Sequence, residues 1–221
     1  MQQFDTPAPI YAVLDIPAGR VRFIAEDRAD TTVEVVPADA SKGRDVQVAK
    51  QTTVEYRDGV LRIEASAKHQ ILGSSGSIEV TVHLPAGSQV QVKAASAEFR
   101  AVGRFGDIAY DSAHGEVKVD EVASIRLTNL AGDVSIGRLN GSAEISTAKG
   151  DIRIAEAVRG TLTLRTQAGD VSVTAAHGVS AALDAGTGYG RIHNALKNTD
   201  GAADLNIHAT TDYGDILARS L

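Results

Sequence analysis

The amino-acid sequence predicts an all-β protein in which residues 94–221 form a parallel β-helix, a β-solenoid with about 18–19 residues per coil. Three observations predict this fold class. They are a repeat built around glycine, an alternation of apolar and polar residues between the glycines, and a composition that suits a thin β core. The period does not fix the hand of the coil, and we assume that it is right-handed.

The repeat is a glycine, a polar residue and an alternating pair of apolar residues. Its glycines are 17, 18 and 19 residues apart, at positions 115, 132, 150 and 169. Apolar residues at i and i+2 indicate a half-buried strand, because successive side chains point to opposite faces. A second apolar pair follows each first pair by about nine residues. Each unit is therefore strand, turn, strand, turn, and such units must stack because none buries its apolar face alone.

Stacking in sequence order predicts two interior columns of apolar side chains. The first column contains Val117, Val134, Ile152, Val171 and Ile192. The facing column contains Ile125, Ala143, Leu162 and Ala181. The pattern loosens near residue 190, and residues 196–204 predict a polar insertion.

Residues 1–93 are rich in predicted strands but follow no such period. They predict an irregular, β-rich N-terminal cap with one short helix near residues 42–51, preceded by Asp39 as its cap. A cap of this kind would cover strand edges that otherwise invite aggregation. We expect the cap and the solenoid repeats to form one continuous structural unit.

Composition narrows the classes of function. The chain has 221 residues, 23% charged residues and a net charge of −6, and it contains no cysteine. Nucleic acid is not expected as a partner, because phosphates require clustered Lys and Arg. The lack of cysteine excludes disulfides and thiolate chemistry. With no signal-peptide pattern and no long apolar run, the given chain is expected to be cytoplasmic and not inserted in a membrane.

The most repeated polar feature is the carboxylate after the turn glycine, as in Asp133, Asp151 and Asp170. A row of carboxylates is a weak candidate for cation binding, since hard cations take several oxygen ligands and each coil supplies one carboxylate. The favoured interpretation is that each Asp accepts hydrogen bonds from turn N–H groups while the glycine adopts a positive φ. We therefore predict no metal and no cofactor.

The most unusual run is 186–194, in which Arg191 replaces the carboxylate of the earlier coils. One interpretation is a small binding site made by Tyr189, Arg191, His193 and Asn194 beside the polar insertion. The other is a distorted coil whose glycines permit a bend, since glycine in strands commonly marks a bend or bulge.

The motifs taken together resemble those of a bacterial family of β-strand-repeat domains of unknown function. Its members are often called candidate adhesins and are frequent in actinobacteria. The matching segments are residues 16–22, 82–87, the Gly-Asp-Val/Ile repeats, 188–194 and 211–216. The resemblance spans nearly the whole chain and implies a β-helical fold.

These observations favour a non-catalytic, adhesin-like β-solenoid that serves as a binding or scaffolding module, with a protein as its partner. One alternative is an enzyme that acts on a polymeric or lipophilic substrate through one solenoid face. The sequence contains no nucleophile elbow, phosphate-binding loop or zinc-protease motif. The other alternative is a self-assembling structural protein. The oligomeric state is not predicted.

Overall fold

The computed structural model describes residues 1–65, 76–198 and 202–221. The protein is all-β, with 72% of its described residues in strands and 4% in helix. Two compact units divide the chain, Met1–Gly115 and Glu116–Leu221. The expected continuity of the whole chain stays a prediction.

Among the described residues, the first unit contains seven strands and one helix. Its elements are β1 (Gln2–Asp5), β2 (Tyr11–Glu26), β3 (Asp30–Pro37), α1 (Gly43–Gln51), β4 (Thr52–Arg57), β5 (Val60–Ala65), β6 (Ile78–Pro85) and β7 (Gln89–His114). Strand β2 pairs in parallel with β5 along its first half, with β6 along its second half, and with β7 along most of its length. Strands β1, β3 and β4 add antiparallel pairs. Parallel stacking is therefore present even where the sequence shows no period.

The described part of the second unit contains ten strands. They are β8 (Val117–Ala131), β9 (Val134–Leu139), β10 (Ala143–Lys149), β11 (Ile152–Ala157), β12 (Gly160–Ala168), β13 (Val171–Ala175), β14 (Ala181–Tyr189), β15 (Ile192–Ala195), β16 (Leu205–Tyr213) and β17 (Ile216–Ser220). All of their pairings are parallel among the described residues. The strands form two rows. The first part of β8 begins the row β8-β9-β11-β13-β17-β15, and its second part begins the row β8-β10-β12-β16-β14. The result is a β-solenoid-like stack.

The predicted stacking in sequence order is wrong for the last two coils. Strands β16 and β17, here called the inserted coil, lie between β12/β13 and β14/β15, here called the end coil. Ile192 therefore pairs with Ile216 and not with Val171. Residues 199–201 of the predicted polar insertion lie outside the described residues.

The second column also changes register at the end coil. Ala181 lies in register with Leu205, and Leu183 is the residue that continues the column of Leu162 through Ile207. Burial explains this order. Leu205 and Ile207 of the inserted coil are 0% and 1% exposed, whereas Ile192 of the end coil is 46% exposed. Placing the more apolar coil inside the stack removes more apolar surface from water.

The coil order predicts which cysteine pairs can be linked, and the chain has no native cysteine to interfere. Thr163 and His208 are in register on adjacent strands, while β16 separates Thr163 from Asp184. Neighbouring strands are about 4.8 Å apart and a disulfide spans Cα atoms about 4.4–6.8 Å apart. We expect oxidation to form a disulfide in the Thr163→Cys/His208→Cys variant but not in the Thr163→Cys/Asp184→Cys variant. The masses of linked peptides show whether the disulfide has formed. Preferential linkage of the second pair would instead support stacking in sequence order.

Candidate functional site

A ladder of hydrogen bonds runs through the turns of the second unit. In four successive turns, the carboxylate after the glycine accepts the backbone N–H of the corresponding residue in the next coil. The donors and acceptors are Asp151 N to Asp133 Oδ1 at 2.9 Å, Asp170 N to Asp151 Oδ1 at 2.8 Å, Asp215 N to Asp170 Oδ1 at 2.7 Å, and Arg191 N to Asp215 Oδ1 at 2.8 Å. Asp133, Asp151 and Asp170 thus accept turn hydrogen bonds, as the favoured interpretation predicts. Within the described ranges, no group of three or more acidic, His or Cys side chains is placed to hold a metal ion.

The turn glycines allow this close approach. Gly169 has φ +156°, and a Cβ there would lie 2.1 Å from the carbonyl oxygen of Gly150. Gly150 has φ +144°, and its Cβ would lie 2.2 Å from the oxygen of Gly132. A side chain at either position would meet backbone and not a flexible group, so the turn accepts glycine alone.

A second, partly buried ladder was missed by the sequence analysis. Thr166, Thr211 and Thr187 are in register, and each hydroxyl donates to the carbonyl of the turn glycine in the preceding coil. The distances are 3.0 Å to Gly150 O, 3.0 Å to Gly169 O and 2.9 Å to Gly214 O. The signal was present in the sequence, because a Thr or Asn precedes each of these turn glycines by three residues. Strand end and turn are therefore fixed together, which positions the residues that follow the glycine.

Three of the four predicted binding residues project from the end coil near this turn. Tyr189 ends β14, is 72% exposed and stacks on Tyr213, with ring centroids 5.1 Å apart and planes 4° apart. Arg191 lies in the turn and holds Asp215 Oδ2 through Nη2 at 2.7 Å and Nε at 3.2 Å. His193 follows in β15, all four residues of which are exposed.

Arg191 ends the row of carboxylates with a cation. Its hydrogen bond and charge lower the pKa of the Asp215 carboxyl, and Asp215 in turn raises the pKa of the Arg191 guanidinium. The side chain of Arg191 is 89% exposed, so water screens this pair. The arrangement serves chiefly to orient Arg191.

An open pocket of about 670 Å³ crosses three coils beside the turn. It is lined by Asp170, Val171, Ser172, Arg191, Ile192, His193, Asp215, Ile216 and Leu217. The fold thus brings Arg191 and His193 into one pocket. Tyr189 and Asn194 do not line it, and Asn194 Oδ1 accepts the N–H of Leu196 at 3.0 Å. Leu217, Ile192 and Ser172 also line the pocket and were not predicted as site residues.

The model of the Toastrack DUF4097 family matches residues 13–219 of the chain. No curated protein matches the chain in sequence.

Solved structures with a similar fold include a candidate cell adhesion protein from Clostridium sporogenes, with 10% identity, a TM-score of 0.44, and coverage of 100% of this chain and 98% of that chain. A candidate adhesin from Bacteroides fragilis has 13% identity and a TM-score of 0.48, covering 98% and 95%. A candidate lipid-binding protein from Parabacteroides distasonis has 11% identity and a TM-score of 0.43, also covering 98% and 95%. Likeness at this level establishes neither a ligand nor a partner.

The close approach at the turns predicts a large difference between two glycine substitutions in the second unit. Gly169→Ala places a methyl group against a backbone carbonyl, whereas nothing lies within 4 Å of a Cβ at Gly186. We expect Gly169→Ala to lower the free energy of unfolding by about 2 kcal/mol or more, because strain and steric overlap combine. Gly186→Ala is the matched control and should change it little. Urea denaturation followed by circular dichroism measures both, and equal effects would contradict the turn geometry.

The Arg191–Asp215 pair predicts a change in the titration of Asp215. Arg191→Gln removes the cation and should raise the pKa of the Asp215 carboxyl toward its ordinary value. The pKa of Asp215 in the folded protein lies below the unfolded value of about 3.9. The ion pair therefore stabilises the folded protein at pH values above the unfolded pKa. This stabilisation is lost as the pH falls through the pKa of the folded protein. NMR titration of the side-chain carboxyl carbon measures the shift, with Arg165→Gln as the control. An unchanged pKa in Arg191→Gln would show that Arg191 does not hold this carboxylate.

Proposed function

The chain belongs to the Toastrack DUF4097 family, whose function is unknown, and we propose that it is a non-catalytic binding or scaffolding module for a partner protein. The observation that carries the proposal is the end coil of the second unit. There, Arg191 and His193 line an open pocket while Tyr189 and Ile192 stay exposed.

The residue types at the end coil favour a protein partner. Arg and Tyr are over-represented among the residues that dominate protein interfaces. Tyr189 is held by its stack on Tyr213, and Arg191 by its two hydrogen bonds to Asp215. Side chains that are already oriented lose less conformational entropy on binding. The pocket also offers both apolar surface, from Leu217 and Ile192, and charged groups.

Three carboxyl groups are unsuited to general acid catalysis. A carboxyl that acts as a general acid at neutral pH has a raised pKa. The pKa values of Asp30, Asp39 and Asp215 are displaced in the opposite direction, lowered by hydrogen bonds from Arg28, Ser41 and Arg191 respectively. These three carboxyls are suited to holding cations and hydroxyl groups, and not to donating a proton.

The proposal also covers the type of β-solenoid in the second unit and the location of the protein. The parallel, in-register pairing of β8, β10 and β12 supports a parallel β-helix in the second unit. A right-handed coil stays a prediction. The actinobacterial type of the family and a cytoplasmic location stay predictions. No helix of the described residues has the length and hydropathy to cross a membrane.

The proposal is tested by affinity capture with the tagged full chain from a lysate of the source organism, followed by quantitative mass spectrometry. The test variant is Arg191→Ala/His193→Ala, which alters the pocket. The matched control is Arg57→Ala/His177→Ala, which removes the same residue types from exposed positions outside the pocket.

We expect one protein to be enriched by both the wild type and the control. Its affinity for the pocket variant should be at least about tenfold lower, because the loss of one or two interface anchors has an effect of that size. The captured protein is then purified and its binding is measured by calorimetry. Equal binding to all three forms would contradict a site at the end coil, and the absence of any enriched protein at low and high salt would contradict the binding module.

A further inference from the structure

The end coil presents an open sheet edge. Among the described residues, β14 pairs with β16 alone and β15 pairs with β17 alone. At the start of β14 the Ala181 N–H donates to the carbonyl oxygen of Lys197 at 3.0 Å. From Ala182 to Tyr189, no described strand pairs with the other edge of β14. An edge of this kind is a template for a further strand.

Strand β14 lacks the usual protection of an edge. Natural edges carry Lys or Pro, or twist away through a bulge. Ala181–Tyr189 contains neither Lys nor Pro, and it pairs with β16 from Ala181 to Tyr189 without a shift of register. Gly186 and Gly188 are exposed and have no side chains on the outward face of the strand. Among the described residues, Lys197 and Asn198 lie at the start of this edge, so the segment offered to a second strand begins at Ala182.

One row of outward side chains shows which charge such a strand would carry. The row contains Arg126, Glu144, Thr163, His208 and Asp184, on β8, β10, β12, β16 and β14. At its start, Arg126 Nε binds Glu144 Oε2 at 3.1 Å across neighbouring strands. At its open end, the Asp184 side chain is 84% exposed and contacts His208 Nδ1 at 3.2 Å. A basic side chain on the next strand would face Asp184 as Arg126 faces Glu144.

The residues on either side of Asp184 define the rest of the pattern. Leu183 continues the interior column of Leu162 and Ile207, and Ala185 continues that of Leu164 and Ala209. The strand that covers this edge should therefore place apolar residues over Leu183 and Ala185. The resulting pattern, apolar–basic–apolar, is the same whether the strand runs parallel or antiparallel.

We propose that the open edge of β14 binds an extended segment of the partner protein by strand addition, with a basic side chain opposite Asp184 between two apolar ones. This proposal rests on the proposed function and specifies the kind of partner segment. The chain itself contains the pattern in β8, where Ile125, Arg126 and Leu127 occupy the corresponding positions of the same row of strands.

The probe is a fluorescein-labelled peptide with the sequence of residues 123–131, Ala-Ser-Ile-Arg-Leu-Thr-Asn-Leu-Ala, compared with the same peptide carrying Arg126→Glu. Fluorescence anisotropy measures the binding of both peptides to the full chain. The test variant is Asp184→Lys, and the matched control is Asp5→Lys, which makes the same charge change at an exposed position of the first unit.

We expect the wild type and Asp5→Lys to bind the Arg peptide on the order of fivefold more tightly than the Glu peptide, as a cross-strand ion pair replaces a repulsion. Asp184→Lys should reverse this preference. Failure of both peptides to bind, or one preference in all three proteins, would overturn the proposal. Sedimentation velocity showing that the wild type alone dimerises, and that Asp184→Lys is monomeric, would also overturn it by assigning the edge to a second copy of the chain.

The result of the peptide-binding experiment can be distinguished from the result of the affinity capture that tests the proposed function. A captured partner that depends on Arg191 and His193 while neither peptide binds would refute strand addition and leave the binding module intact. Charge-selective peptide binding without any captured partner would support the edge site and count against the pocket.

Discussion

The close backbone approach at the turns is the constraint on which the second unit depends. Strands of one row lie about 4.8 Å apart, so each turn rests directly on the carbonyl oxygen of the turn before it, as Gly169 rests on Gly150. Only glycine fits there. The carboxylate of the residue after the glycine accepts a backbone N–H from the next coil. The Thr three residues before the glycine donates to the carbonyl of the turn glycine in the preceding coil. The two ladders fix the register of both rows.

The order of the last coils decides what the molecule presents to a partner. Both ladders pass from the coil of Asp170 to that of Asp215 and only then to that of Arg191. The apolar inserted coil is thereby covered on both sides, while the glycine-rich end coil has a neighbour on one side. The pocket, the Tyr189–Tyr213 stack and the open edge of β14 all arise from this one step in chain topology.

Local patterns in the sequence predicted the strands, the turn glycines and the hydrogen-bonding role of Asp133, Asp151 and Asp170, because each depends on residues within one or two neighbouring coils. Arg191 and His193 were singled out for the same reason, since Arg191 breaks a local pattern. The coil order was not predictable in this way. Coils 181–195 and 205–220 have similar spacing, and the difference between them lies in how much apolar surface each buries once stacked. The parallel pairing of β2 went undetected because its partners are separated from it by segments of irregular length.

Hydrogen–deuterium exchange of the full chain, resolved by peptide, tests the central claim most directly, because exchange reports the local stability of each coil. If the end coil is the exposed end of the stack, amides in 181–195 exchange fastest among the strands of the second unit. Amides in 205–220 are then strongly protected, although they are near the last residue of the chain. Stronger protection of 181–195 than of 205–220 would contradict the coil order, and with it the assignment of the pocket and the open edge.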